Sequence, residues 1–142
     1  MIAVDTSIMV DIIGDSREAP GSVAALQDAL AAGPVVACEV VLAELVAGLG
    51  HSAIVMQACD DMGVGYLAME QRAALRAGEM QRRYRQRLRQ DSRLERSAGV
   101  RRSVPDFLIG AHALLQCQGL ITRDAGFFRD YFKGLKVIVP KG

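Results

Sequence analysis

Tryptophan is absent from the 142 residues, and aromatic side chains make up only 5% of them. The core must therefore be built from Ala, Val, Leu, Ile and Met, and half of the chain is hydrophobic. Long apolar runs are missing too. Each is broken by a charge well short of the roughly 20 residues that span a bilayer, which excludes a transmembrane helix. Cys38, Cys59 and Cys117 are odd in number, widely spaced and set among apolar neighbours. They read as buried free thiols of a cytoplasmic protein, which excludes a disulfide framework and a zinc–thiolate site. Two histidines, His51 and His112, are too few for a histidine-based metal centre and are assigned structural places. No basic leader precedes the first apolar segment, so no secretory signal is expected. Neither an internal repeat nor a low-complexity linker divides the chain, so one domain over residues 1–142 is expected.

Base is scarce in one half only. Residues 1–70 carry ten acids and a single base, Arg17, whereas residues 71–142 carry sixteen bases and six acids. The total of +1 conceals this split. It implies either a polyanionic partner for the second half or two oppositely charged docking surfaces.

Short apolar runs alternate with longer helical patterns. Strands are expected at Ile2–Val4, Val35–Ala37, Val64–Leu67, Leu120–Thr122 and Val137–Val139. Helical patterns lie between them: one after Ser7, then Val23–Ala32, Glu39–Leu49, Ser52–Met62, a long one from about Met69, one from Ser103 to about Gln118, and Ala125–Phe132. Gly50, Gly63 and Gly119 stand where helices should stop, and Pro20-Gly21 reads as a turn. Strands separated by helices mean an α/β fold with a parallel sheet and helices on both faces. The polar stretch 81–102 is expected to be a helical arm or a loop within the domain.

Four acids stand out. Asp5 ends the first strand, and function in open α/β sheets gathers at the carboxyl ends of strands. Asp5 or Ser7 also suits a helix cap, so both readings stay open. Glu44 is the only charge between Val40 and Leu49, and its helical neighbours are apolar or small. Such a carboxylate is seldom buried unless paired or bound to metal; otherwise it projects from a buried helix. Asp106 opens an apolar helix after Ser103, which resembles a capping box, and a cap does not exclude a site. Asp124 follows the fourth strand by one residue and is either a cap or a second strand-end acid. Carboxylates gathered at one sheet edge repel each other unless a cation is present. Oxygen ligands without a His or Cys set favour Mg²⁺ or Mn²⁺ over zinc. Ions of this kind orient a phosphodiester and activate water.

The runs Val4-Asp5-Thr6-Ser7, Val41-Leu42-Ala43-Glu44-Leu45, Pro105-Asp106-Phe107-Leu108-Ile109-Gly110-Ala111-His112-Ala113 and Leu120-Ile121-Thr122-Arg123-Asp124 with Phe127 closely resemble PIN-domain ribonucleases. Within these they resemble the VapC toxins of bacterial toxin–antitoxin systems, over nearly the whole chain. The resemblance implies a metal-dependent endoribonuclease on a three-layer domain, its five-stranded parallel sheet in the order 3-2-1-4-5. It maps the family's acids onto Asp5, Glu44, Asp106 and Asp124, both catalytic and metal-binding, with Thr6 or Ser7 in support. It also implies a homodimer, a VapB-like antitoxin covering the acidic cleft, and an RNA substrate such as tRNA or rRNA.

Arg82, Arg83, Arg85, Arg87, Arg89, Arg93, Arg96, Arg101 and Arg102 meet only Asp91 and Glu95 in their region, too large a surplus for pairing along a helix. Met80, Tyr84 and Leu88 recur every fourth residue as an apolar stripe among them. Arg82, Arg83, Arg85, Arg87, Arg89, Arg101 and Arg102 are thus candidates for contact with a phosphate backbone, which positions a nucleic acid without reading its sequence. An acidic antitoxin tail fits the same surface. The rival reading is a PIN-like module that binds RNA or protein without cleaving it. A receiver or a haloacid-dehalogenase-type phosphatase is disfavoured, since the first strand ends without a DxD pair and no glycine-rich phosphate loop occurs. Nothing in the sequence separates RNA from DNA as substrate.

Overall fold

The structure, a computed structural model, describes residues 1–91 and 102–142. In chain order the elements are β1 (Ile2–Val4), α1 (Thr6–Ile13), α2 (Ala19–Ala32), β2 (Val35–Ala37), α3 (Glu39–Leu49), α4 (Ser52–Met62), β3 (Val64–Tyr66), α5 (Gln71–Gln90), α6 (Val104–Gln116), β4 (Gly119–Ile121), α7 (Ala125–Tyr131) and β5 (Lys136–Ile138). All five strands pair in parallel in the order β3-β2-β1-β4-β5. The chain winds outward from β1 to β3, then returns to the other side of β1 for β4 and β5. Crossovers in these opposite directions lay helices over both faces. The α/β class and the strand order expected from the resemblance are both present.

Each strand has only three residues, and those of β2 and β4, which flank the middle strand β1, are buried throughout. Short apolar runs suffice here because helices cover both faces. Pro20 and Gly21, expected as a turn, lie inside the first turn of α2. Proline is tolerated there because its missing N–H has no helical partner anyway. Glycine at 21 has a packing reason: a Cβ would come within 2.1 Å of the Lys141 carbonyl oxygen, so the chain end crosses close over α2. Gly50 and Gly63 close α3 and α4 in the left-handed region, at φ 88° and 76°.

The scarce aromatics are concentrated. Tyr84, Phe107, Phe127, Phe128, Tyr131 and Phe132 form one connected group between α5, α6 and α7, with neighbouring ring centroids 4.9 to 6.5 Å apart. The stripe expected at Met80, Tyr84 and Leu88 is buried and extends back through Ala77 and Ala73. It seats α5 against α6, while Arg82, Arg83, Arg85, Arg87 and Arg89 remain exposed. The arginine-rich stretch is therefore helical as far as Gln90. Arg93, Arg96 and Arg101 lie outside the described residues. No helix among the described residues is long and apolar enough to cross a membrane.

Candidate active site

Strand register determines what surrounds Asp5. Val4 sits opposite Ile121, and the Asp5 N–H continues the ladder to the Ile121 carbonyl at 3.0 Å. Thr122 is thereby brought beside Asp5, and its hydroxyl donates to Asp5 Oδ2 at 2.6 Å. The Ser7 hydroxyl reaches the same oxygen at 3.3 Å, and the Thr6 N–H donates to Oδ1 at 2.8 Å. Asp5 is thus the N-cap of α1 and a strand-end acid at once, so its two open readings coexist. Only 8% of Asp5 is exposed. Burial pushes its carboxyl above the ordinary value; the bonds from Thr122, Thr6 and Ser7 work against this, and the nearby Asp106 charge adds to it.

Glu44 is half-buried on α3 and is paired, as its apolar setting suggested: the Thr6 hydroxyl donates to Glu44 Oε1 at 2.7 Å. Thr6 therefore links β1's end to α3. Asp106 lies in the first turn of α6 and accepts from the Ser103 N–H at 3.4 Å, half of the capping box read from the sequence. Burial raises its pKa first of all; Ser103 and Arg102 oppose the shift, and Asp124 adds to it. Asp124 precedes α7, and its N–H donates to the Thr122 hydroxyl oxygen at 3.0 Å. Its carboxylate is ion-paired with Arg102.

The four acids thus gather at one end of the sheet, but they do not form a closed ligand cage. Among the described residues, no group of three or more His, Cys, Asp or Glu side chains is placed to hold an ion. The donor chemistry nonetheless fits a hard cation. All donors are oxygens, and neither Asp5 nor Asp106 makes an ion pair among the described residues. Both feel a neighbouring carboxylate; Arg102 offsets this at Asp106, so the repulsion a cation would relieve is chiefly that felt by Asp5.

Two supports were not singled out from the sequence. Thr122 is one; its only local signal is a β-branched hydroxyl at a strand's carboxyl end. The other is Asp11, 2% exposed on α1. It accepts from the Ser16 hydroxyl at 3.2 Å, the Ser22 hydroxyl at 3.0 Å and the Arg123 guanidinium at 2.7 Å. Asp11 is the only charge in α1, the same signal that marked Glu44. Together Asp5 and Asp11 give α1 two holds on the 122–124 connection.

His112 stays outside this chemistry, as expected. Its Nε2–H donates to the Leu67 carbonyl at 2.9 Å and pins the β3–α5 connection, while burial lowers its pKa and keeps the ring neutral. Burial raises all three cysteine thiols, which disfavours thiolate chemistry. A cavity of about 820 Å³ lined by Met1, Pro34, Gln118 and Lys136 opens at the amino ends of the strands, away from the acids.

Solved structures share this arrangement of elements. VapBC2 from Rickettsia felis, bound to a promoter DNA fragment, superposes with TM-score 0.70 at 20% identity, over 99% of this chain and 100% of that one. A toxin–antitoxin complex from Klebsiella pneumoniae gives 0.61 at 21% identity, over 99% and 98%. DNA-bound VapBC from Salmonella typhimurium gives 0.60 at 15%, over 97% and 96%. At these identities the likeness is one of fold. No curated protein matches the chain in sequence. The PIN domain family model, however, matches residues 2–133. With that match across the strand-end acids, the chain belongs to the PIN-domain family.

Proposed function

We propose that this chain is a metal-dependent endoribonuclease and the toxin of a VapBC-type pair, using Asp5, Glu44, Asp106 and Asp124. The observation that carries the reading is Asp5 itself, a nearly buried carboxylate held by three hydrogen bonds at the end of the middle strand and facing the charge of Asp106. Asp11, by contrast, finds a cation among the protein's own groups in Arg123. Asp5 has no such partner among the described residues, and in this reading a bound ion takes that role.

In this reading Asp5 and Asp106 hold Mg²⁺ or Mn²⁺, with Asp124 and Glu44 flanking. The ion, when bound, polarises the phosphoryl oxygen and lowers the pKa of a water nucleophile. Thr122, Ser7 and the Thr6 amide keep the Asp5 oxygens oriented, and Thr6 ties Glu44 to the same strand end. Arg82, Arg83, Arg85, Arg87, Arg89, Arg101 and Arg102 contribute charge for the phosphate backbone of an RNA such as tRNA or rRNA. Arg87 lies 5.3 Å over the Tyr131 ring and donates to its hydroxyl at 3.1 Å. Exposed Ile54 and Met56 on α4 and Leu75 on α5 support burial against protein, which suits a VapB-like antitoxin and a second copy of the chain.

The test is incubation of purified protein with a mixed tRNA and rRNA pool and Mg²⁺ or Mn²⁺, beside an EDTA control and Asp5→Asn. Discrete fragments lost with EDTA and in Asp5→Asn support the nuclease. One observation favours a second reading, a binding module without cleavage: among the described residues no three of the acids are placed to hold an ion together. Intact RNA retained equally by wild type and Asp5→Asn, both folded, would establish that module instead.

A further inference from the structure

We propose that Arg102 is the resident counter-ion of the acidic site: it competes with a divalent cation for Asp124 and so sets how tightly the carboxylates bind one. The inference rests on the metal reading above and adds a residue that limits it.

Arg102 is not a loosely placed surface arginine. Its guanidinium pairs with the Asp124 carboxylate and lies 4.6 Å over the Phe127 ring. Its backbone N–H donates to the Tyr84 hydroxyl at 3.0 Å, so α5 fixes where the side chain starts. An ion pair, a cation–π contact and a main-chain anchor thus deliver one charge to one carboxylate. Arg123, the adjacent cation on the 122–124 connection, is committed to Asp11 and cannot replace it.

This placement accounts for the incomplete cage. Of four carboxylates at the sheet's end, Glu44 is engaged by the Thr6 hydroxyl and Asp124 by Arg102. A neutral hydroxyl donor leaves a carboxylate oxygen free to bind an ion. A guanidinium both occupies the oxygen and brings a like charge towards the incoming cation. For Asp124 to give Oδ2 to an ion shared with Asp5 and Asp106, Arg102 must let go. The displaced guanidinium then becomes available to an anion, such as a phosphate of the bound nucleic acid.

The experiment is titration of Mn²⁺ into metal-free protein, with free Mn²⁺ followed by electron paramagnetic resonance. The proteins are wild type, Arg102→Gln, Asp124→Asn and the double variant, each checked for folding by circular dichroism. Arg102→Gln should bind Mn²⁺ about tenfold more tightly, as expected for losing a half-exposed ion pair and a cation–π contact. In the Asp124→Asn background the same change should alter affinity by less than about twofold, because the carboxylate competed for is gone. Arg102→Lys, which keeps the charge but loses the planar fork and the stacking, should fall between wild type and Arg102→Gln. Equal affinity of wild type and Arg102→Gln would overturn the proposal while leaving the metal site standing. Tightening that persists in Asp124→Asn would also overturn it, since the effect would then be a general field. Absence of Mn²⁺ binding in every variant would remove the metal reading itself.

Discussion

Replacing Thr122 with valine tests whether the strand-end acid is held as described. The side chain is fully buried and valine matches its shape, so little cavity results. Two bonds are lost: the 2.6 Å donation to Asp5 Oδ2 and the 3.0 Å acceptance from the Asp124 N–H. The first is charge-assisted and contributes about 1.5–3 kcal/mol, the second about 1 kcal/mol. Burying a methyl in place of a hydroxyl returns roughly 0.8 kcal/mol, which leaves a net loss of about 2–3 kcal/mol near neutral pH. The loss should depend on pH. The Thr122 bond favours the ionised form of Asp5, whose carboxyl burial pushes upward. Its removal raises that pKa further, because the ionised form loses a donor. The charge-assisted part is therefore present while Asp5 is ionised and disappears as pH falls through the folded-state pKa. Urea unfolding across a pH series should show the penalty shrinking to roughly 0.2 kcal/mol in acid, the about 1 kcal/mol owed to the Asp124 amide less the roughly 0.8 kcal/mol that the methyl returns. Thr122→Ser, which keeps the hydroxyl, should recover most of the loss. A penalty that is independent of pH would refute the bond to an ionised Asp5.

Four further outcomes follow from particular contacts. Gly110→Ala places a Cβ 2.3 Å from a ring carbon of the fully buried Phe132; overpacking should outweigh the better helix propensity and cost about 1–2 kcal/mol, read as a lower thermal midpoint. Asp11→Ala removes the acceptor of three hydrogen bonds, and because Arg123 is 40% exposed and can rehydrate, the cost should stay near 2–4 kcal/mol in urea, with Asp11→Asn losing less. The folded-state pKa of His112 is depressed, so its contribution is complete above the unfolded value of about 6.5 and is lost as pH falls below it. Asp5 and Asp106 have raised pKa values and shift stability the other way, so His112→Phe should turn the acid-side loss into a flat or rising curve, checked by unfolding at several pH values. Reversing Arg82, Arg83 and Arg85 to glutamate should weaken RNA binding and flatten its dependence on salt; an unchanged salt slope in filter binding would move the RNA contact elsewhere.

The sequence by itself determined the elements and the acids at their ends. Apolar runs of strand length between helical patterns gave the alternation, and glycines marked the stops after α3 and α4, because periodicity and caps act over a few residues. Asp5, Asp106 and Asp124 were legible for the same reason, each standing at or near the start of a helix, and Glu44 as the only charge between Val40 and Leu49 of an apolar one. Pro20 was misplaced because a first-turn proline and a turn proline look alike locally. Only the tertiary structure decided the partners. The parallel register set Thr122 against Asp5 across 117 positions of sequence, and the fold joined Arg123 to Asp11 across 112. It also gathered six of the seven aromatics under α6 and α7, and placed Arg102, one arginine among many in the sequence, on Asp124. Contacts of this kind depend on where whole elements cross, which neither composition nor spacing records. Whether four acids at one sheet edge close around an ion or are partly held by the protein's own cation is therefore a property of the packed fold.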